Sequence, residues 1–105
     1  MTDNRENILV CKRVGFVDQK GEDAFFEWIK KIEFIDNFYG RGDELYLETL
    51  SYDDISDDEL DDLIGLFYRY KIANMNQLAR FLNDRNKHWF YDNKKAFWHK
   101  KVFGE

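Results

Sequence analysis

Ten carboxylates lie between positions 43 and 62, a segment without Lys, Arg or His, and they are the residues best suited to chemistry or to binding. Carboxylates can hold a metal ion, transfer a proton or attract a cationic partner. Seven of them fall within residues 53–62, where mutual repulsion destabilises the fold unless a cation offsets it. The ten are Asp43, Glu44, Glu48, Asp53, Asp54, Asp57, Asp58, Glu59, Asp61 and Asp62.

The sign of the charge reverses after this segment. Residues 1–62 hold 18 acids and 7 bases and residues 63–105 hold 3 acids and 9 bases, so net charges of −11 and +6 make up the total of −5. A concentrated negative surface attracts cationic partners and raises their rate of encounter. The sequence therefore predicts a surface that binds a basic protein.

A metal site and an active site have less support from the spacing. A calcium loop needs alternating oxygen ligands and a glycine at its sharp turn, and residues 53–59 have neither. His88 and His99 have no metal-ligand spacing with Cys11, and no HExxH motif, Gly-rich phosphate loop or nucleophile elbow occurs. We therefore predict no catalytic residue, no metal and no cofactor, and we expect Cys11 to be a small buried residue on a strand.

Length and composition indicate one folded domain, residues 1–105. With 44% hydrophobic and 18% aromatic residues, the chain is too apolar to be disordered. A single cysteine excludes an internal disulfide and agrees with a reducing compartment. No apolar run is long enough to span a membrane, and the first residues are polar. We expect a cytoplasmic protein that has no membrane partner.

The first half of the chain predicts three strands and a helix. Residues 8–16 alternate as a strand does, with an apolar side made by Ile8, Val10, Val14 and Phe16. Apolar residues at helical spacing predict an amphipathic helix over 22–32. Two alternating segments, 33–39 and 44–50, flank a Gly-containing turn and predict a β-hairpin.

The second half predicts helices. Ser56 and Glu59 have the spacing of a capping box, and Ile55 and Leu60 that of a hydrophobic staple, for a helix over 57–70. Gly65 inside it suggests the close approach of a neighbouring backbone. Asn74 and Gln77 repeat the capping pattern, and residues 94–103 fit a helix or a strand. The order β-α-β-β-α-α indicates an α+β fold, a small antiparallel sheet packed on three or four helices.

The acidic stretch allows two interpretations, and in either one Arg69, Arg80, Lys94 or Lys100 could fold back over the acids and offset their charge. It fits a well-capped, solvated helix start that has no partner. It also fits a docking face for a cationic protein, because dipole stabilisation fades after the first turn and does not account for the last two aspartates. In that second interpretation Tyr52 and Tyr68 anchor the partner, and the residues that steer it are Asp53, Asp54, Asp57, Asp58, Asp61 and Asp62.

Residues 55–67 resemble in composition the acidic helix of small colicin-nuclease immunity proteins. That resemblance implies a protein that inhibits a bacterial toxin by covering a nuclease, whose phosphate-binding site is cationic. The predicted strands depart from that all-helical family. The leading hypothesis is an immunity-type inhibitor, with the toxin or nuclease domain as its basic partner.

The alternative hypothesis is a nucleic-acid-binding regulator. Residues 87–101 interleave bases with aromatic rings, a pattern suited to single strands, although the four rings Trp89, Phe90, Phe97 and Trp98 fit a core as well. Segments 57–70, 74–82 and 86–91 could also form a helix-turn-helix in which Asn76, Gln77 and Arg80 read bases. The acidic net charge argues against a DNA-binding domain.

Overall fold

Three strands form an antiparallel sheet in the spatial order β1-β3-β2, with β1 at Ile8–Lys12, β2 at Ile35–Arg41 and β3 at Glu44–Thr49. The structure is a computed structural model, and it describes residues 7–12, 14, 16, 18–51 and 54–104. The turn between β2 and β3 contains Gly42 at φ 65°, a conformation that glycine adopts without strain. The predicted hairpin is therefore confirmed.

The inward side of β1 is the opposite of the one that the apolar alternation suggested. Leu9 and Cys11 are fully buried, whereas Ile8 and Val10 are only half-buried. Leu9 pairs with Leu47 of β3, and Cys11 pairs with Leu45, so these side chains share the face that packs on the helices. The strand also ends at Lys12, short of the predicted residue 16.

Two long helices cover that face. Helix α1, Gln19–Lys31, is capped by Asp18, whose carboxylate accepts a hydrogen bond from the backbone N–H of Gly21 at 2.8 Å. It buries Phe25 and Ile29. Helix α2, Asp57–Arg69, is capped by Ser56, and the predicted capping box with Glu59 is present. These helices confirm the two segments in which apolar residues recur at helical spacing.

The chain after α2 forms short turns of helix. They are a 3-10 helix at Met75–Phe81, helix α3 at Lys87–Phe90 and helix α4 at His99–Phe103. The sequence left residues 94–103 open between helix and strand, and the end of that segment is a helix. Burial extends through this half as well, since Met75, Leu78, Phe81 and Phe90 all belong to the core.

Asn74 and Gln77 do not cap a helix as their spacing suggested. Gln77 Oε1 accepts a hydrogen bond from the N–H of Val10 at 2.9 Å, and Gln77 Nε2 donates to the carbonyl of Val10 at 2.6 Å. Asn74 Nδ2 donates to the same carbonyl at 2.7 Å. These amides cover the outer edge of β1, so the proposed reading helix at 76–80 is a 3-10 segment whose Gln77 is engaged in the fold.

The α+β prediction is confirmed: a three-stranded antiparallel sheet packs on helices in nearly the predicted order. In the part of the chain that the structure describes, no helix is long and apolar enough to cross a membrane.

Candidate functional site

The acidic face of the protein consists of Asp57, Asp58, Asp61 and Asp62, in the first two turns of α2. All four side chains are exposed, as is Asp54 just before the helix. Two residues predicted to belong to the docking face, Tyr52 and Asp53, lie outside the described residues.

Glu59 differs from its acidic neighbours because the fold uses both of its carboxylate oxygens. Oε1 accepts from Ser56 at the helix cap, from Oγ at 3.0 Å and from the backbone N–H at 3.3 Å. Oε2 accepts from the backbone N–H of Phe34 at 2.8 Å and so ties α2 to the start of β2. Glu59 therefore stabilises the fold and is not available to a partner.

The salt bridges found between described residues do not involve the acidic face, although Arg85 lines a cleft with Asp57 and Lys31 lines a groove with Asp62. Those three salt bridges join Lys12 to Glu44, Lys30 to Glu27, and Lys87 to Asp92. Burial raises the pKa of Asp62 above its ordinary value, and the charges of Asp61, Asp58 and Glu59 raise it further. Burial is the larger cause and the neighbouring carboxylates add to it, so the charged form of Asp62 is disfavoured.

A groove between α1 and α2 adjoins the acidic face and has an indole ring in its wall. Its volume is about 460 Å³, and its lining residues are Ala24, Glu27, Trp28, Lys31, Ile32 and Asp62. We call it the Trp28 groove. Trp28 is half-buried, Asp62 and Glu27 bring carboxylates to the same groove, and Lys31 also lines it. The Glu27 carboxylate already pairs with Lys30, so Asp62 is the acid most available to a partner. An aromatic ring beside carboxylates is a favourable setting for the ammonium or guanidinium group of a partner, through cation–π attraction and charge-assisted hydrogen bonds.

Gly65 is the residue of α2 that lies against the Trp28 ring. A Cβ added at Gly65 would lie 3.4 Å from Cζ2 of the Trp28 ring. The close neighbour is thus a side chain, not the backbone that the sequence suggested. Trp28 itself was not among the predicted site residues. A glycine inside a helical pattern indicated that another part of the chain packs closely on α2. The sequence did not indicate that this part is Trp28.

Tyr68, predicted as an anchor beside the aspartates, lies two turns beyond Asp61 on the same helix. It is half-buried and packs edge-to-face on Phe97, with ring centroids 4.6 Å apart. Lys101 Nζ lies 6.0 Å from the centroid of the Tyr68 ring. Tyr68 is therefore part of the basic end of the molecule and not of the Trp28 groove.

The aromatic run near the C-terminus is mostly core. Phe90 and Trp98 are buried and Trp89 is half-buried, whereas Phe97 is 70% exposed. Phe97 thus departs from the expectation that all four rings fit the core. Its exposed ring lies in a sequence that also carries the exposed lysines 94, 95, 100 and 101.

The reactive side chains offer little chemistry in this arrangement. Burial raises the pKa of the Cys11 thiol to about 12, so the thiol is neutral at physiological pH. His99 is buried, and its Nε2 donates to the carbonyl of Tyr91 at 2.7 Å. In the part of the chain that can be described, no three His, Cys, Asp or Glu side chains are grouped so as to hold a metal ion.

Comparison of the chain with known protein families, with curated proteins and with solved structures found no match.

Proposed function

We propose that this protein binds a basic protein partner through the acidic face of α2 and the adjoining Trp28 groove. The observation that carries this proposal is the set of four exposed aspartates in the first two turns of α2, while the salt bridges found between described residues join other side chains. Like charges three or four residues apart weaken a helix, so the fold gains nothing from Asp61 and Asp62. A cationic partner supplies the missing counter-charge and is steered toward the face from a distance.

The Trp28 groove gives this surface a place for a specific contact. Charges at the rim of an interface mainly raise the association rate, whereas buried aromatic contacts dominate affinity. A lysine or arginine of the partner that enters the groove meets the Trp28 ring together with the carboxylate of Asp62. Trp28 thus adds an anchoring ring to the predicted anchors Tyr52 and Tyr68.

In its most specific form, the proposal is an immunity-type inhibitor of a bacterial toxin with nuclease activity. The active site of a nuclease is cationic because it holds phosphates, and an acidic surface can cover it or dock beside it. The composition of residues 55–67, which resembles the acidic helix of small colicin-nuclease immunity proteins, supports this form.

The test is affinity capture from the native host with the wild-type chain and with a double variant, Asp58→Lys with Asp61→Lys. The matched control is Asp23→Lys with Asp36→Lys, which changes the net charge equally at exposed positions outside the acidic face. We expect the wild-type chain and the control to retain the same basic protein at low salt, and the double variant to lose it. The purified partner should cleave plasmid DNA, and addition of the wild-type chain should stop the cleavage.

Each outcome bears on a different part of the proposal. Equal retention by the double variant, once circular dichroism has shown that it is folded, contradicts docking on α2. An acidic partner contradicts the electrostatic argument. A basic partner without nuclease activity supports the binding surface and refutes the immunity-type form.

A second candidate function is the binding of single-stranded nucleic acid by the basic C-terminal segment. The exposed ring of Phe97 and the lysines near it in sequence favour this function, because rings stack on bases and lysines bind phosphates. A filter-binding titration at two salt concentrations distinguishes the two functions. Affinity that falls steeply with salt and is lost in Phe97→Ser favours the nucleic-acid function, and no retention at either salt concentration removes it.

A further inference from the structure

A second cleft lies at the C-terminal end of α2 and is opposite in character to the acidic face. Its volume is about 420 Å³, and its lining residues are Phe67, Tyr68, Lys71, Ile72, Ala73, Met75 and Lys101. A cleft of that volume is large enough to hold a small molecule. The described lining is apolar apart from two lysines and the Tyr68 hydroxyl, and it contains no acid.

Lys71 follows the end of α2, at a position where glycine is the usual residue. The N–H of Ile72 donates to the carbonyl of Phe67 at 3.0 Å, and the N–H of Lys71 donates to the carbonyl of Tyr68 at 3.2 Å. This pair of bonds is the Schellman motif that ends many helices, with Lys71 at the left-handed position, φ 53°. A residue with a Cβ is strained in that conformation, which favours glycine. A strained residue whose side chain lines a cleft is a candidate for a binding role.

The two hydrogen bonds of the Schellman motif also make the end of α2 less repulsive to an anion. The end of a helix exposes carbonyl groups that repel negative charge. Here the carbonyls of Phe67 and Tyr68 already accept backbone hydrogen bonds, and the ammonium groups of Lys71 and Lys101 are the charges at the cleft. The net field at the cleft therefore favours an anion.

The aromatic rings define the rest of the ligand. Phe67 and Tyr68 line the cleft together with Ile72 and Met75, so a flat apolar group in the cleft would pack on aromatic and aliphatic surface. We propose that this cleft binds a small molecule that joins a flat apolar body to a negative charge, such as an aryl carboxylate. This site is independent of the acidic face and does not rest on the binding of a basic protein.

The experiment is an NMR titration of the ¹⁵N-labelled chain with 2-naphthoate, and with the uncharged 2-naphthalenemethanol as the matched probe. We expect saturable shifts of amides in residues 67–75 and near Lys101, with the carboxylate bound several-fold more tightly than the alcohol. Lys71→Gly and Lys101→Gln should each weaken 2-naphthoate binding by about two- to fivefold, the range of an exposed ion pair. The control Lys20→Gln removes an exposed lysine on α1 and should leave the affinity unchanged.

Lys71→Gly separates a binding role from a structural one, because its two effects have opposite signs. Relief of the left-handed strain should raise the Tm by roughly 4–8 °C, while the loss of the ammonium group weakens binding. Equal affinity for the two probes, shifts spread over other regions, or no saturable shift up to about 5 mM ligand would overturn the proposal. Unchanged affinity in both lysine variants would overturn it as well.

Discussion

Neutralising an aspartate of the acidic face should stabilise the protein, and Asp61→Asn is the most informative substitution. Asp61 stands four residues after Asp57 and three residues after Asp58, so it takes part in two like-charge pairs on α2. Each such pair weakens a helix by about 0.2–0.5 kcal/mol. Removing both should raise the free energy of unfolding by about 0.4–1 kcal/mol, or the Tm by roughly 2–6 °C.

Two further variants on α2 allow the stabilising effect of Asp61→Asn to be compared with that of neighbouring substitutions. Asp62→Asn removes two like-charge pairs, with Asp58 and with Glu59, and should also give about 0.4–1 kcal/mol. Asp58→Asn removes two pairs but loses a favourable charge in the first helical turn, about 0.3–1 kcal/mol, so its net effect should be near zero. We therefore expect Asp61→Asn and Asp62→Asn to stabilise the protein by similar amounts and Asp58→Asn to stabilise it less.

The raised pKa of Asp62 fixes the pH dependence of its effect. The native state holds the proton of Asp62 more tightly than the unfolded chain, whose ordinary value is 3.8. Wild-type stability therefore falls as the pH rises through the window that begins near this value. The advantage of Asp62→Asn should be present at pH 7 and disappear below about pH 3, where the carboxyl group is protonated.

The assay is urea unfolding at pH 7 in about 20 mM and about 500 mM salt, because exposed charges are screened at the higher ionic strength. The gain in Asp61→Asn should shrink at high salt, and the control Asp36→Asn, an exposed acid on β2, should be nearly neutral. Destabilisation by Asp61→Asn would mean that a cation of the chain already neutralises the face. The reasoning behind a basic partner would then fail.

Three further predictions concern the fold around these surfaces. Gln77→Leu should lower the free energy of unfolding, measured with urea, by about 2–4 kcal/mol, because the N–H and the carbonyl of Val10 lose hydrogen-bond partners. A decrease too small to measure would contradict the role of Gln77. The Cys11 thiol ionises near pH 9 in the unfolded chain but only near pH 12 in the native protein. The free energy of unfolding of the wild type should therefore fall toward that of Cys11→Ala as the pH rises above 9. A difference that stays constant with pH would contradict the burial of the thiol. Gly65→Ala should stabilise α2 by up to about 1 kcal/mol, since its Cβ meets Trp28 at ordinary contact distance, whereas Gly65→Leu should displace the indole and change its fluorescence.

Local patterns in the sequence predicted the parts of the fold that depend on neighbouring residues. The capping box of Ser56 and Glu59 spans three residues, so the sequence contains all the information that the cap needs. The hairpin follows in the same way from two alternating segments and a glycine turn. The exposed aspartates of α2 belong to this group, because their spacing places them away from its apolar stripe.

The parts that failed depend on contacts far apart in the sequence. Both sides of β1 are apolar, and only the packing of the helices decides that Leu9 and Cys11 face inward. Gln77 has the spacing of a capping residue, but a hydrogen bond to Val10, 67 residues away, uses its side chain. The Trp28 groove requires α1 to lie against α2, which periodicity within either helix cannot reveal.

The amide clamp on β1 also bears on the order in which the protein can be assembled. The strand nearest the N-terminus is made first, yet the hydrogen bonds at the outer edge of Val10 come from side chains at positions 74 and 77. During synthesis that edge stays open while the ribosome adds the intervening residues, and an open edge can pair with a strand of another nascent chain. A chain that stops before Gln77 should therefore associate with copies of itself, even though all three strands of the sheet have been made.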